Sequence, residues 1–401
     1  MTDTKMKSVP KVRFEGFTDD WEQRKLGDLV NVDTGSRNHQ DAVQGGRYPF
    51  YVRSENIEAL DEYDFNETAI LVPGDGRIGE IFHFVQGKFA LHQRVYKLDG
   101  FTGVIPEFLI QLLRHGFRKH ALRMNAQGTV PSLRKPVFTE WQVLIPNTKE
   151  QKPISYLLRC LDKTIALHQR KHDSLLKLKQ AHLQKMFPKN GQKTPELRFG
   201  GFTDDWEQRK FSWMLDVDDG IRRGPFGSAL KKSLFVPESP YAVYEQQNAI
   251  YDRYDTRYNI SEKTFHELSK FEIRPGDFIM SGAGTIGRIS RVPEGIKTGV
   301  FNQALIRFKI DDNKMDAEYF LQLIRSPQMQ RRLTGANPGS AITNLVPMSE
   351  VKKWKLFVPT KAEQKQIARS LTLLDNAIAL HQQQLDNLKQ LKKWALQNLF
   401  V

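Results

Sequence analysis

Cysteine is nearly missing: Cys160 is the only one in 401 residues. That excludes an intramolecular disulfide framework and a thiolate-rich metal site, and it fits a reducing compartment. Long apolar runs are missing as well. Nowhere do about 18 consecutive apolar residues occur, and the opening residues MTDTKMKSVPKVRF hold no signal-like stretch, so a soluble, cytoplasmic chain with no membrane partner is expected. Acidic residues are in deficit, with 46 Asp and Glu against 60 Lys and Arg, a formal net charge of +14. The surplus points to a polyanionic partner, nucleic acid ahead of membrane, because no basic amphipathic anchor stands out.

Signatures of several enzyme classes are absent too. The loop Ser281-Gly-Ala-Gly-Thr-Ile-Gly-Arg-Ile289 places Arg288 and Ile289 where a phosphate-binding loop needs Lys and Ser or Thr. Asn337-Pro338-Gly339 lacks the aromatic residue of an amino-methyltransferase motif, and no Gly-rich methyl-donor loop precedes it. Asp75 and Asp277 lie in Pro-Gly-Asp turns with no Glu-x-Lys to complete a nuclease metal site.

What is present is a repeat. RFEGFTDDWEQRKL at 13–26 and RFGGFTDDWEQRKF at 198–211 agree at 12 of 14 positions, offset by 185. Residues 144–187 and 357–400 agree at 20 of 44 positions, offset by 213. The inserts between these framework pieces, 27–143 and 212–356, differ in length by 28 residues and mostly do not match. A two-copy repeat this long argues for pseudo-two-fold symmetry and against a stacked array. Two like surfaces suit one kind of partner bound twice, and two unlike inserts suit two different targets.

The later framework segments read as helices. Pro146 and Pro359 block helix before them, Asn147 and Thr360 can cap, and Glu150 and Glu363 stand where a capping box requires them. Apolar residues recur in steps of three and four at Ile154, Leu158, Leu161 and Ile165, and again at Ile367, Leu371, Leu374 and Ile378. About 38 residues at about 1.5 Å each give helices of roughly 57 Å, so the two are expected to pack on each other, antiparallel if the two-fold holds. Pro153, matched by Gln366 in copy two, predicts a kink or a late start. His168 and His172 have metal-ligand spacing, but copy two has His381 and Leu385 there, which favours helix packing for His168 and His381. Trp21 and Trp206 either anchor framework contacts or fill the core.

Each insert mixes short β-like runs with Gly-rich turns and one amphipathic helix, near 107–114 and 318–325. PGDGRIGEI (73–81) aligns with SGAGTIGRI (281–289), LHQRVYKL (91–98) with FNQALIRF (301–308), and Gly128-Thr129 with Gly339-Ser340, so both inserts share one fold. The fold class is therefore α+β: two mixed α/β domains separated by two long coiled-coil-like helices, in a tandem duplication. The divisions fall at 1–146, 147–187 (first helix), 188–197 (a Pro- and Gly-marked linker), 198–359 and 360–401 (second helix).

Candidate DNA-contacting residues in the first insert are Arg37, Arg53, Arg77 and Arg94, with Thr129, Arg134 and Lys135 around the later loop. In the second, Arg222, Arg223, Lys231 and Lys232 flank the turn Gly224-Pro225-Phe226-Gly227-Ser228, in which Ser228 adds a donor. Gln246, Gln247 and Asn248 offer amides that can pair with adenine, and Thr285 lies in the second Gly-rich loop. For any one basic residue, a phosphate contact or a solvated side chain is the commoner role.

With these residues in place the chain resembles the specificity subunits of type I restriction-modification systems. The resemblance rests on the repeated Gly-Phe-Thr-Asp-Asp-Trp-Glu-Gln-Arg-Lys (16–25, 201–210), the Gly-Pro-Phe-Gly-Ser turn, the Gly-x-Ile-Gly loops (76–79, 284–287) and the Glu-Gln helix starts (150–151, 363–364), in order along nearly the whole chain. It implies a non-catalytic subunit whose inserts are target recognition domains and whose helices are spacers, reading an asymmetric bipartite site in double-stranded DNA. It further implies two methyltransferase subunits that bind S-adenosylmethionine and methylate adenine N6, and translocase subunits using ATP and Mg; no cofactor and no metal is expected on this chain. Two alternatives stand beside it: a chain that cuts or modifies DNA by itself, against which the missing motifs speak, and a helical scaffold with two protein-binding modules.

Overall fold

The computed structural model describes residues 9–124, 132–189, 191–227, 229–335 and 346–401. The first copy runs through β1 (Glu22–Lys25), β2 (Asn31–Thr34), β3 (Tyr48–Tyr51), β4 (Ile57–Leu60), β5 (Phe65–Pro73), β6 (His83–Leu91) and β7 (Val95–Asp99). Helices α1 (Pro106–Leu112), α2 (Arg118–Met124) and α3 (Lys135–Thr139) follow, then β8 (Gln142–Ile145) and the long α4 (Thr148–Lys185). Six strands form one sheet in the order β2-β7-β5-β6-β3-β4. The Ala69–Val72 run of β5 is continuously apolar because both of its faces are covered. Ile70 and Val72 point into the core with Leu98, Phe108 and Leu109, while Ala69 and Leu71 point to Val85, Phe89 and Leu91.

The second copy has β9 (Glu207–Lys210), β10 (Ile221–Arg223), β11 (Phe235–Val236), β12 (Tyr241–Tyr244), α5 (Gln246–Tyr251), β13 (Tyr258–Ile260) and α6 (Glu262–Glu267). Then come β14 (Phe278–Ser281), β15 (Ile289–Arg291), β16 (Gly299–Phe301), β17 (Leu305–Phe308), α7 (Ala317–Arg325), α8 (Pro327–Thr334), α9 (Met348–Val351), β18 (Lys355–Val358) and α10 (Lys361–Asn398). Eight of its ten strands form two sheets, β10-β17-β14-β15 and β11-β13-β12-β16, and β9 pairs with β18. The long β6 of copy one corresponds to β15 plus β16. Between them lie Pro293, which has no N–H for a ladder, and Gly295 with φ +77°. Pairing survives the break: β15 stays antiparallel to β14, and β16 stays parallel to β12 as β6 is to β3. Most of the extra length lies in residues 245–257 and 261–277, which carry α5 and α6, where copy one has only 52–56 and 61–64.

The framework repeats residue for residue. In β1 and β8, Glu22 faces Ile145; in β9 and β18, Glu207 faces Val358. The side chains of Asn147 and Thr360 accept from the N–H groups of Glu150 and Glu363 at 3.1 and 3.4 Å, as caps should. The other half of the expected capping box does not form. Glu150 instead takes both guanidinium donors of Arg13 at 2.6 and 2.7 Å, and Glu363 takes those of Arg198 at 2.7 and 2.9 Å. A bidentate charged donor displaces a neutral backbone N–H. The neighbouring Gln151 and Gln364 each close three backbone bonds in matching places. The helix does not start late at Pro153; α4 begins at Thr148 with the proline inside it.

Two compact units result, one comprising the chain up to Arg170 with Gln382–Val401, the other Lys171–His381, so each long helix contributes to both. In the first unit Ile154, Leu158 and Leu161 share a core with Trp21, Ala395, Leu399 and Phe400. In the second, Leu183 and Phe187 share a core with Trp206, Ile367, Ala368 and Leu371. Lys392 is ion-paired with Asp162 in the first unit, and Lys179 with Asp375 in the second. In the first unit Ile154 and Leu158, before Asp162, share a core with Leu399 and Phe400, after Lys392; in the second Leu183 and Phe187, after Lys179, share a core with Ile367 and Leu371, before Asp375, so the helices run antiparallel within each unit. Ile165 and His168 in the first unit and Leu374, Ile378 and His381 in the second are half-buried.

Candidate nucleic-acid interface

In the first unit four loops converge at one end of the sheet. Backbone hydrogen bonds tie them: Gly35 N to Val95 O at 3.4 Å, Gln93 N to Arg37 O at 2.9 Å, His92 N to Tyr51 O at 3.0 Å and Gly74 N to Arg94 O at 2.8 Å. Side chains add a second set. His83 Nε2 lies 3.1 Å from Ser54 O, Arg77 reaches Glu55 at 3.0 Å, and Arg53 Nη1 stands 3.4 Å from Asp75 Oδ2. Between the loops opens a cavity of about 440 Å³ lined by His39, Arg53, Ser54, Glu58, Asp75 and His92. His92 Nδ1 accepts from the N–H of Arg94 at 2.9 Å, which requires an unprotonated nitrogen. Burial, helped by Arg53, pushes its pKa down accordingly.

The second unit repeats three of these four backbone bonds. Gly224 N bonds Leu305 O at 2.9 Å, Asn302 N bonds Tyr244 O at 2.9 Å, and Gly282 N bonds Ala304 O at 2.7 Å. Asn302 Oδ1 accepts from Ala304 N at 3.0 Å, the part His92 plays in the first unit. A Cβ at Gly35 would collide with the carbonyl of Leu91 and one at Gly224 with that of Asn302, so both close approaches need glycine. Counting along the chain from these bonded residues gives the equivalences: Arg37 with Phe226, Arg53 with Gln246, Asp75 with Ala283, Arg77 with Thr285, and Arg94 with Ala304. At all five, a charged residue of the first unit is an uncharged one in the second.

The candidates divide by what already holds them. Arg37 is tied to Asp64 and Glu62, Arg77 to Glu80 and Glu55, and Lys135 to Asp33 at 3.4 Å. Arg94, Arg134, Arg223, Lys231, Lys232 and Thr285 are exposed. Arg222 is half-buried on Asp219 at 2.7 Å. Gln246 and Gln247 are half-buried, and the carbonyl oxygen of Gln246 is shielded from solvent with no hydrogen-bond partner among the described residues. Asn248 corrects the expectation of a base-reading amide, because it is 1% exposed and fully used. Its Oδ1 accepts from Glu245 N at 2.7 Å and its Nδ2 donates to Arg253 O and Asp255 O at 2.7 and 3.0 Å, which closes the loop after α5. Thr129 and Ser228 lie outside the described residues. Phe226 had no role of its own in the sequence reading, yet it is 89% exposed. It borders an opening of about 720 Å³ with Arg223, Ala283, Gln303 and Ala304.

Each unit also exposes apolar side chains on its long helices. Leu167, Leu391 and Trp394 are exposed in the first unit, and Leu380, Leu178 and Leu373 in the second. By the 213-residue offset Leu167 matches Leu380 and Leu178 matches Leu391. Among the described residues no group of three or more His, Cys, Asp or Glu could hold a metal ion, and no helix is long and apolar enough to cross a membrane.

Comparison with known proteins agrees with this architecture. A family model described as "Type I restriction modification DNA specificity domain" matches residues 18–177 and 225–390. The type I restriction enzyme EcoDI specificity subunit of Escherichia coli is 30% identical over 184 residues, a match that spans 45% of this chain and 40% of that one. The MjaVIII specificity subunit of Methanocaldococcus jannaschii is 23% identical over 401 residues, covering 94% and 91%. Among solved structures, the type I restriction-modification S subunit from M. genitalium superposes with a TM-score of 0.66 at 14% identity, over 98% and 99% of the two chains. A chain from a structure of type I restriction-modification complex assembly and conformational transition gives 0.51 at 14% identity, over 94% and 96%.

Proposed function

The chain belongs to the type I restriction-modification DNA specificity family, and from that premise we propose that it is the specificity subunit of such a system, reading an asymmetric, bipartite site in double-stranded DNA. One observation carries the reading: the same backbone cage occurs twice and presents unlike side chains, five charged positions against five uncharged ones. A duplicated frame with divergent loop ends suits two half-sites of different sequence on opposite strands.

The basic surplus supplies sequence-independent attraction to the duplex, and base edges at the loops supply discrimination. Exposed leucines at equivalent places on both helices fit one kind of partner bound twice, which we assign to two methyltransferase subunits. S-adenosylmethionine would then be bound by those subunits, which methylate adenine N6, and ATP with Mg by restriction subunits that join them. This chain contributes recognition and no catalytic group, in the cytoplasm where its DNA lies. A scaffold role would leave the unlike loop ends without a purpose.

The test is a genome-wide map of N6-methyladenine in cells expressing this chain with its methyltransferase, against the methyltransferase alone. A bipartite motif that appears only with this chain is expected. No new motif, from a methyltransferase active with another specificity subunit, would refute the proposal.

A further inference from the structure

The two loop clusters differ most usefully at one equivalent position. Arg53 and Gln246 each stand two residues after a tyrosine, Tyr51 or Tyr244, whose carbonyl accepts the N–H of His92 or Asn302. Asp75 lies 3.4 Å from Arg53, and its counterpart in the second unit is Ala283. Arg37 and Arg77 are each tied to two acids, but Arg53 is half exposed and meets its one acid only at 3.4 Å, so its donors are largely unused. The cavity beside it, of about 440 Å³, puts Arg53 next to the carboxylates of Asp75 and Glu58. Donors beside acceptors match the major-groove edge of a G·C pair, in which guanine offers N7 and O6 and cytosine offers N4–H.

The second unit has no charge in this place. The amide of Gln246 lies beside Gly284, and its carbonyl oxygen has no partner among the described residues, so turning the side chain outward breaks no bond to that oxygen. An amide offers one donor and one acceptor, the complement of adenine N7 and N6–H. In the same loop cluster Phe226, Ala283 and Ala304 stand where the first unit has charged residues, and they line an opening with apolar surface of the kind that contacts a thymine methyl, beside Arg223, Glu267 and Lys270. The geometry points to a division of labour: Arg53 with Asp75 reads a G·C pair in one half-site, and Gln246 reads an A·T pair in the other.

This assignment rests on the chain being a specificity subunit, and the experiment separates the two. The motif is first mapped by N6-methyladenine sequencing with the methyltransferase partner present. If no motif depends on this chain, the specificity-subunit reading itself falls. With a motif in hand, the wild-type complex is titrated against duplexes in which each guanine of the recognised site is replaced in turn by 7-deazaguanine and each adenine by 7-deazaadenine, which removes N7 alone. One guanine in one half-site and one adenine in the other should each weaken binding about 10-fold when N7 is lost. Arg53→Gln should abolish the guanine effect and leave the adenine effect, and Gln246→Ala should do the reverse. Guanine-insensitive binding by the wild-type complex, or an effect of Arg53→Gln confined to an A·T position, would overturn the assignment with the motif intact. The wild-type titration decides even where a variant does not fold.

Discussion

The interior of each copy and its loop end have diverged at very different rates. Behind the loops, Glu150 and Glu363, Gln151 and Gln364, Asp162 and Asp375, and Lys179 and Lys392 are the same residues with matching partners, to which Arg114 on Asp162 and Trp206 on Glu363 add one bond each. At the loop end even residues with equivalent roles differ, as His92 and Asn302 do in accepting the N–H two residues on. The difference shows what each part must satisfy. A buried ion pair tolerates few substitutes, because removing one partner strands the other charge. A loop end fixed by backbone bonds can change every side chain and keep its shape.

The largest expected effects probe an asymmetry within the frame. Glu150→Ala and Glu363→Ala should each cost roughly 3–5 kcal/mol of unfolding free energy by leaving Arg13 or Arg198 unpaired. Glu363 also accepts from Trp206 Nε1 at 3.1 Å, whereas Trp21 Nε1 has no partner among the described residues. Glu363→Ala should therefore be the more damaging of the two in denaturant unfolding; the opposite order would show that the copies differ in some other respect.

Next come the paired glycines. Gly35→Ala and Gly224→Ala both force a methyl group onto a neighbouring carbonyl, and each should cost about 1–3 kcal/mol by overpacking. Similar losses in thermal unfolding would confirm that the cages are equivalent; tolerance at one position would separate them.

Smaller still are the matched lysines. Lys179→Met and Lys392→Met each remove one half-exposed ion pair worth about 1 kcal/mol. Lys179→Met should cost the more, because Asp162 keeps Arg114 at 2.8 Å whereas Asp375 keeps only Gln322 among the described residues, and the double variant should show the sum of the two.

The subtlest contrast is with pH. Burial holds His83, His92, His115 and His120 of the first unit below their ordinary 6.5. Each takes up its proton in the unfolded chain before it does so in the folded one, so stability present at neutral pH is lost as pH falls below about 6.5. In the second unit burial raises the carboxyl of Asp277, which has the opposite sign and makes acid less damaging. Hydrogen exchange at about pH 7.5 and about pH 5.5, corrected for intrinsic rates, should show the first unit losing protection relative to the second.

Much of this was legible in the residues. Identical framework segments exposed the duplication, Pro and Asn or Thr before Glu-Gln marked both helix starts, and the Gly-rich strings aligned the inserts. Three things were not legible. The match of Arg53 to Gln246 depends on backbone bonds to Tyr51 and Tyr244, because 52–56 and 245–257 differ in both length and composition. Asn248 looked like a reader because an amide's chemistry is the same whether it faces DNA or closes a loop. Glu150 and Glu363 looked like capping-box residues because Arg13 and Arg198, which claim them, lie more than 130 residues away in sequence.

The central claim is that two independent readers share one duplicated frame, and reader exchange tests it most directly. Replacing residues 212–356 with the corresponding insert of another specificity subunit, and mapping N6-methyladenine with the same methyltransferase, should change one half-site and leave the other as it was. A simultaneous change in both half-sites would contradict the account.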